Sequence, residues 1–310
     1  MVHIFIINPM AGKKDFADDL RNQISKLTDI EYYIFDTRSA GYEATLIKKI
    51  QHIFEDEKLR IYCCGGSGTI KNIINDINDL DNVEVAFYPC GLTNDFLKTF
   101  KKEDRERFKN IEELINGDVI DIDYIRYNNK GICLNTFSTG FDTKVLEKWS
   151  ELDFLSSFGK NIPFILAFIN SLFKTHTVKC EVTVGDKHYV DDFSEIFFGN
   201  GSVLGGVLHV YENPNVIDGL GKYMLLRQDS RKLFSIPLAI KFMKRKVREI
   251  ELYAEYGESQ TIYIRRIDDG PIIFDLDGEL DTFGGTIKVD IVHNGLHFVV
   301  PKGVTAADGK

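Results

Sequence analysis

Glycine-rich and acidic turns are the features of this sequence that could do chemistry. The first turn, residues 65–69, has the sequence Gly-Gly-Ser-Gly-Thr, and it follows the apolar run 59–64 and precedes isoleucines at helical spacing. Closely spaced glycines let the backbone approach an anion, and the amides at a helix N-terminus point toward it. The pattern predicts a phosphate-binding loop between a strand and a helix. It lacks the ending of a Walker A loop and the G-x-G-x-x-G fingerprint, and a plain packing turn is the alternative.

Two other polar turns follow apolar runs in the same way. The run 83–88 leads into the turn 89–96, which is predicted to open another helix, and the N-terminal run 3–7 leads into the turn 8–14. If the three runs are parallel strands of one sheet, their carboxyl ends lie at one edge, where open α/β folds bind ligands. The sequence therefore predicts that the three turns converge on one nucleotide.

Acidic residues beside glycines recur in the second half of the chain. Asp277-Gly278-Glu279 lies between two strand-like stretches, and Asp218-Gly219 follows a proline and an asparagine. The two carboxylates around Gly278 make this segment a candidate for chemistry. Asp-Gly is also the commonest signal of a hairpin turn, so a purely structural role is the alternative at both positions. Asp142, in a Gly-Phe-Asp setting, is a further acidic candidate with a supporting role.

Composition narrows the class of protein. The 310 residues are 44% hydrophobic and 27% charged, which indicates a globular chain. A formal net charge of −9 argues against a nucleic-acid partner, which would need a basic stripe. The short apolar start does not resemble a secretory signal, and no apolar run approaches the length of about 20 residues that spans a membrane. Five cysteines without metal-binding spacing favour a reducing cytoplasm.

The predicted secondary structure that positions these turns changes near the middle of the chain, from alternating helices and strands to mainly strands. Helices over 15–26 and 41–55 alternate with strands up to residue 117, which predicts an α/β domain with a parallel sheet. Beyond residue 119, strand signals predict a mainly antiparallel β domain, a β-sandwich. Its predicted strands are 120–127, 179–184, 188–193, 223–226, 250–253, 261–265 and 286–292. Two apolar helices, 162–173 and 231–248, could pack in the core or face lipid.

The motifs together resemble the diacylglycerol kinase catalytic superfamily, which includes bacterial lipid kinases, sphingosine kinases and, more remotely, NAD kinases. In the order of that family they are Asn8-Pro9 with Gly12, the 65–69 loop, Asn94-Asp95-Phe96, Asn135 with Gly140-Phe141-Asp142, Asn200 with Gly205-Gly206, Asp218-Gly219 and Asp277-Gly278-Glu279. The resemblance implies an NAD kinase-like nucleotide-binding domain over 1–118 and a β-rich substrate-binding domain over 119–310. Whether the last strand returns to the first domain is left open.

The resemblance also implies an activity and its residues. It implies a cytoplasmic kinase at the inner face of the membrane, which uses ATP and Mg²⁺ to phosphorylate a lipid hydroxyl. Asp277 would be the catalytic base with Glu279 assisting, and Asp218 would belong to a metal site. The implied nucleotide-site residues are Asn8, Thr37, Gly65, Gly66, Ser67, Gly68, Thr69, Thr93, Asn94 and Asp95. Besides the lipid no partner is implied, and a homodimer is left open.

Three positions depart from the pattern of this family. Ser67 replaces the usual Asp of the glycine loop, Asn72 replaces a Glu, and Leu92 replaces a Thr. A serine can hydrogen-bond a phosphate, but it cannot hold a metal ion with a formal charge as a carboxylate does. A paralogue that binds nucleotide or lipid without transferring phosphate is therefore the alternative function. A kinase of a soluble metabolite is a third hypothesis.

Overall fold

The computed structural model describes residues 1–12, 16–28, 30–38, 41–91, 94–152, 162–172, 177–206, 208–227, 240–246, 249 and 253–306. The chain folds as two compact units. The first consists of Met1–Tyr124, Asn215–Gly219 and Val292–Lys310, and the second of Ile125–Pro214 and Leu220–Ile291. The first unit therefore extends beyond residue 118 and takes in the C-terminal strand. Of the predicted helix 231–248, residues 231–239, 247 and 248 lie outside the described residues.

A parallel sheet forms the centre of the first unit. Its described strands are β1 (Val2–Ile7), β2 (Tyr32–Asp36), β3 (Leu59–Gly65), β4 (Val83–Pro89) and the end of β17 (Ile287–Val300), in the order β2-β1-β3-β4-β17. β1 and β3 are buried along their whole length, as expected for parallel strands covered on both faces. The predicted parallel sheet is confirmed.

Helices follow these strands. They are α1 (Phe16–Ile24), α2 (Tyr42–Ile53), α3 (Ser67–Asp76) and α4 (Ile111–Ile115), with short 3-10 helices at Leu80–Asn82, Asp95–Thr99 and Arg105–Lys109. The helix expected after Asn94 is thus a single 3-10 segment. Arg105 contributes to its end, because its guanidinium donates to the carbonyls of Lys98 and Phe100 at 3.0 and 2.9 Å.

A buried ion pair joins two strands of this sheet to α4. Arg60 on β3 donates to Glu84 on β4 at 2.7 Å, and the two residues are 7% and 4% exposed. The same guanidinium donates to the carbonyls of Leu114 and Ile115 at 3.1 and 2.7 Å, where α4 ends. The arginine therefore satisfies carbonyls that the end of the helix leaves without intrahelical partners.

The second unit is mainly antiparallel, as predicted. Strand β5 (Asp118–Tyr127) enters it and pairs with β6 (Gly131–Cys133). The further strands are β7 (Thr136–Gly140), β8 (Val178–Val184), β9 (Lys187–Gly199), β12 (Gly221–Arg227), β13 (Ala254–Ser259), β14 (Thr261–Arg266), β15 (Ile272–Leu276) and β16 (Glu279–Phe283), with β10 (Val203–Leu204) and β11 (Leu208–His209) as a separate pair. The main sheet has the order β16-β15-β7-β9-β8-β14, then the start of β17, and β12 pairs with both β9 and β13.

Both faces of this sheet are apolar where β9 and β12 meet. Ile196, Phe198 and Leu225 pack in one cluster, whereas Phe197 and Met224 pack in the other. The helices of this unit are α5 (Phe141–Glu151) and α6 (Ile162–Leu172). The prediction of a strand over 250–253 is wrong at Tyr253, which lies in a turn, and residues 250–252 are outside the described residues. The strand β13 begins at the next residue. Its two glutamates and its glycine are residue types that are rare in strands, so the sequence did not predict it.

Candidate functional site

The N-terminus of α3 has the geometry of an anion site. Gly66 precedes the helix in an extended conformation, and its carbonyl accepts from the amides of Thr69 and Ile70 at 3.0 and 3.2 Å. Helix geometry leaves the amides of Ser67 and Gly68 without intrahelical acceptors. The first turn of α3 contains no acidic side chain that could neutralise the positive end of the helix dipole. The loop thus offers an anion N–H donors that have no intrahelical acceptor, together with partial positive charge.

The glycine loop packs directly against the turn that follows β4. A Cβ atom on Gly91 would lie 2.7 Å from the Cα atom of Gly66 and 2.8 Å from Oδ1 of Asn94. A side chain at Gly91 is therefore incompatible with the present separation of the two turns. A Cβ on Gly66 would lie 3.4 Å from the Cα of Gly91, which is a normal contact. Only Gly91 is sterically required at this contact.

The turn after β1 joins the other two. The Asn8 side-chain amide donates to Oγ1 of Thr69 at 3.0 Å, and its Oδ1 accepts from the Met10 amide at 3.0 Å. Gly12 has φ 70°, and a Cβ there would lie 2.6 Å from the carbonyl oxygen of Cys90. The structure thus brings together the three turns that the sequence placed at one sheet edge.

Other predicted nucleotide-site residues lie in or near this edge. Thr37 is buried, and its amide donates to the Ile7 carbonyl at 2.9 Å. Gly65 is needed for packing, since a Cβ there would lie 2.4 Å from Oγ1 of Thr69. Leu92 and Thr93 lie outside the described residues. Burial raises the pKa of Cys90 to about 12, so this thiol is protonated at neutral pH.

Asn94 and Asp95 begin the 3-10 segment after this turn. Asn94 adopts φ 44°, in the left-handed region, and its amide nitrogen donates to the Gly91 carbonyl at 3.0 Å. Its Oδ1 atom is buried and has no hydrogen-bond donor among the residues that the structure describes. The Asp95 carboxylate accepts from Nζ of Lys98 at 2.7 Å. The edge therefore contains one buried acceptor and one carboxylate that is already paired with a cation.

Asp218 lies in a loop of the first unit that a buried aspartate holds in place. The Asp123 carboxylate accepts from the Gly219 amide at 2.7 Å, from Nδ1 of His293 at 2.8 Å and from the Asn294 amide at 2.9 Å. Asp123 is fully buried, and the sequence analysis missed it although it lies within a predicted strand. In the described ranges, no group of three or more His, Cys, Asp or Glu side chains could hold a metal ion. The metal role of Asp218 stays a prediction.

Asp277 and Gly278 form the turn of the hairpin between β15 and β16. Their φ values are 52° and 91°, both left-handed, as in the two-residue turns typical of hairpins. The Asp277 carboxylate accepts from the amides of Leu134, Asn135 and Thr136 at 2.8, 3.0 and 2.8 Å. Beyond the hairpin turn that the sequence indicated, these contacts tie Asp277 to the segment 134–136, which the sequence did not indicate. Glu279 is exposed at the start of β16.

Comparisons with known proteins agree with this architecture. Residues 3–127 match the family described as "Diacylglycerol kinase catalytic domain". The diacylglycerol kinase of Bacillus subtilis is 21% identical over 310 residues, which cover 96% of this chain and 95% of that protein. YtlR of the same organism is 32% identical over 99 residues, which cover 31% of this chain and 32% of that protein.

Solved structures extend the likeness to the whole fold. A crystal structure of a diacylglycerol kinase from Bacillus anthracis superposes with a TM-score of 0.67 at 18% identity, and the superposition covers 96% of each chain. At this identity the likeness shows a common fold. Together with the family match over residues 3–127, it confirms the resemblance to the diacylglycerol kinase catalytic-domain family that the motifs predicted.

Proposed function

We propose that this protein is an ATP-dependent lipid kinase that transfers the γ-phosphate of ATP to a lipid hydroxyl. The observation that carries the proposal is the N-terminus of α3, whose first turn offers N–H donors and no acidic side chain. An anion such as a nucleotide phosphate is the ligand that this geometry favours. The site lies within the residues that match the catalytic-domain family.

The residues of the sheet edge fit ATP. Amides of Gly66, Ser67 and Gly68 would hold phosphate oxygens, and the buried Oδ1 of Asn94 would accept from a donor group of the nucleotide. Asn8 would keep Thr69 in place through its 3.0 Å hydrogen bond. Phosphoryl transfer depends on positioning and on neutralising the phosphate charge. These residues would supply the positioning.

Magnesium enters the proposal only as the ion that accompanies ATP. No cage of three or more ligand side chains exists in the described part of the chain, and Asp95 is paired with Lys98. Mg²⁺ usually keeps several waters and binds one or two carboxylates together with the phosphates of the substrate. Asp95 is the carboxylate that could contribute such a ligand. Ser67 would contribute a hydrogen bond to phosphate.

For the acceptor hydroxyl, we keep Asp277 as the base and Glu279 as its assistant. Three backbone amides donate to the Asp277 carboxylate and fix its position in the turn between β15 and β16. We propose that the acceptor hydroxyl hydrogen-bonds to this carboxylate, which would take up its proton. Glu279 is exposed and is the second carboxylate of the same turn.

Helix α6 supports the lipid part of the proposal. Three of its apolar residues, Ile165, Leu166 and Ile169, are 51%, 42% and 46% exposed, whereas Ala167 is fully buried. An apolar stripe on one face of a helix can lie in the interface of a bilayer. We propose that this face meets the inner surface of the membrane. No helix in the described ranges is long and apolar enough to span one.

A binding protein that has lost phosphoryl transfer is the second candidate. Ser67 favours it, because the loop then lacks the carboxylate that the family usually carries. The ion pair between Asp95 and Lys98 also reduces the negative charge available to a metal ion. Both observations weaken catalysis more than nucleotide binding.

The deciding experiment incubates the pure protein with ATP labelled in the γ-phosphate, Mg²⁺ and dispersed lipids that include diacylglycerol. We expect a labelled lipid from the natural sequence and none from Gly66→Val, because the valine side chain would occupy the phosphate position. Gly284→Ala is the matched control, since a Cβ there has no neighbour within 4 Å. ATP binding by calorimetry without a labelled lipid would favour the binding protein. If the natural protein neither binds ATP nor yields a labelled lipid, the kinase proposal is refuted.

A further inference from the structure

Three acidic side chains lie buried in a row in the second unit. Asp142 at the start of α5, Glu195 on β9 and Asp275 on β15 are 9%, 5% and 5% exposed. The Asp142 amide donates to Oε2 of Glu195 at 3.2 Å, and the Thr143 amide donates to Oδ1 of Asp142 at 2.6 Å. The hydroxyl of Ser138, on β7, donates to Oδ2 of Asp142. The row is thus fixed by contacts from the strands and helix that surround it.

The carboxyl groups of the row contact each other. Asp142 shares one side-chain hydrogen bond with Glu195 and another with Asp275. Because a carboxylate only accepts hydrogen bonds, a bond between two carboxyl groups requires a proton on one of them. Within the described chain, neither Asp142 nor Glu195 forms an ion pair with a lysine or arginine. The row must therefore retain protons to be stable.

Burial raises the pKa of both Asp142 and Glu195. Burial, and then the neighbouring Asp142, raise the pKa of Glu195 well above its usual value. Burial also raises the pKa of Asp142, although hydrogen bonds from Ser138 and its other neighbours oppose this. Oε1 of Glu195 is buried without a donor among the residues described, which a neutral acid tolerates better than an anion. We expect a proton on this pair at neutral pH.

The row ends at the hairpin turn that carries the proposed base. Asp275 lies opposite Ser138 in the pairing of β15 with β7. Oδ1 of Asp275 accepts from the amide of Gly278 at 2.7 Å. Gly278 directly follows Asp277 in the turn. A change in the row would therefore reach this turn through one hydrogen bond.

Other charged groups near the row are engaged elsewhere. On α5, Lys144 pairs with Glu147 at 2.8 Å, and on β16 Asp281 accepts from the Tyr127 hydroxyl at 2.8 Å. Helix α6, which packs on α5, has no titratable residue. Glu279 is the remaining acid of the turn, and it is exposed to water.

We propose that Asp142, Glu195 and Asp275 act as one positioning unit, which holds the Asp277-Gly278 turn in place by sharing protons along the row. Its effect on catalysis rests on the proposed lipid kinase function, in which the turn carries the base. Its effect on the turn itself does not depend on any activity. Ionisation of Glu195 would separate it from Asp142, and the support of the Gly278 amide would weaken.

The test uses the full chain with two substitutions at one position. Glu195→Gln replaces the protonated acid by a neutral group of the same shape, whereas Glu195→Leu removes every hydrogen bond. Glu181→Gln on β8 is the matched control, because Glu181 is partly exposed and pairs with Arg265 at 3.0 Å. Amide hydrogen exchange at Gly278 and Thr136, measured by NMR, reports on the turn.

We expect Glu195→Leu to speed exchange at these amides about tenfold or more, the change that loss of one hydrogen bond of usual strength produces. Glu195→Gln should keep the protection of the natural protein at neutral pH. At alkaline pH the natural protein should lose protection beyond the intrinsic rise in exchange, because the acid ionises, and Glu195→Gln should not. The control should match the natural protein throughout.

Kinetics supply the second measurement. In Glu195→Leu the turnover number for the lipid should fall with KM for ATP unchanged, and Glu195→Gln should restore it. Unchanged protection of the turn in a folded Glu195→Leu variant would overturn the proposal. If that variant does not fold, equal pH dependence of protection in Glu195→Gln and the natural protein would overturn it instead. If no variant phosphorylates lipid, only the kinase proposal fails, because exchange still tests the row.

Discussion

Substitution of Gly91 by alanine tests whether the glycine loop can bind phosphate only while it packs closely against the turn after β4. A Cβ at this position would lie 2.7 Å from the Cα of Gly66 and 2.8 Å from Oδ1 of Asn94. Carbon atoms in contact normally lie about 3.5–4.0 Å apart. The backbone of one turn must therefore move by roughly 1 Å, because the nearer obstacle, the Cα of Gly66, is a backbone atom that no side-chain rotation can displace.

The size of the effect follows from this displacement. Overpacking of a well-packed site costs about 1–3 kcal/mol, which lowers the melting temperature by roughly 2–12 °C in a domain of this size. A shift of about 1 Å in groups that hold a substrate can cost on the order of a hundredfold in function. We therefore expect ATP affinity to fall by about that factor if the loop binds the phosphates.

Thermal unfolding and calorimetry with ATP measure the two effects separately. Gly66→Ala is the informative comparison, since its Cβ would lie 3.4 Å from Gly91 and should leave the melting temperature nearly unchanged. Gly284→Ala, whose Cβ has no neighbour within 4 Å, should change neither quantity. A Gly91→Ala protein that melts and binds ATP like the natural one would show that this contact does not constrain the loop.

Three further predictions use the same preparations. Ser67→Asp should raise lipid phosphorylation about tenfold or more if the missing charge limits the reaction, and an unchanged rate in the labelled-lipid assay would count against this. Asp277→Asn should reduce turnover by roughly a hundredfold. In urea unfolding it should also destabilise the protein, because the side-chain amide has one acceptor oxygen for three N–H donors. Glu279→Gln should lower turnover without lowering stability in urea. Glu84→Gln should lower the free energy of unfolding by about 3–5 kcal/mol, since it leaves the buried Arg60 charge without its anion, and a loss below about 1 kcal/mol in the same titration would contradict this.

Local sequence signals predicted the parts of the fold that are built from neighbouring residues. The apolar run 59–64, the glycines after it and the helical spacing beyond them specify β3, its turn and α3 within one segment. The Asp277-Gly278 turn follows from two residues that tolerate positive φ. Convergence of three turns followed from the parallel arrangement of their strands. In each case the structure is determined by the spacing of apolar residues or by the type of residue in the turn.

Contacts between distant residues could not be predicted in this way. Asp123, Glu84 and Glu195 are charged residues in strands, and a single sequence gives no sign that they are buried with specific partners. Their partners come from other strands or loops far along the chain, as Glu195 does for Asp142. The helix expected after Asn94 is a short 3-10 segment, and the Arg105 guanidinium donates to two carbonyls at its end. Such effects depend on tertiary packing, which overrides local preference.

The position of β17 in the first unit has a consequence for biosynthesis. His297 in this strand pairs with Glu84 in β4, so this edge of β4 stays open during synthesis until residue 297 has left the ribosome. At about 5–20 residues per second, β4 waits on the order of ten seconds or longer with an unpaired edge. Exposed strand edges invite pairing with other chains. Nascent chains that stop before residue 292 should therefore depend on chaperones and should aggregate when released, whereas chains that include the whole of β17 should not.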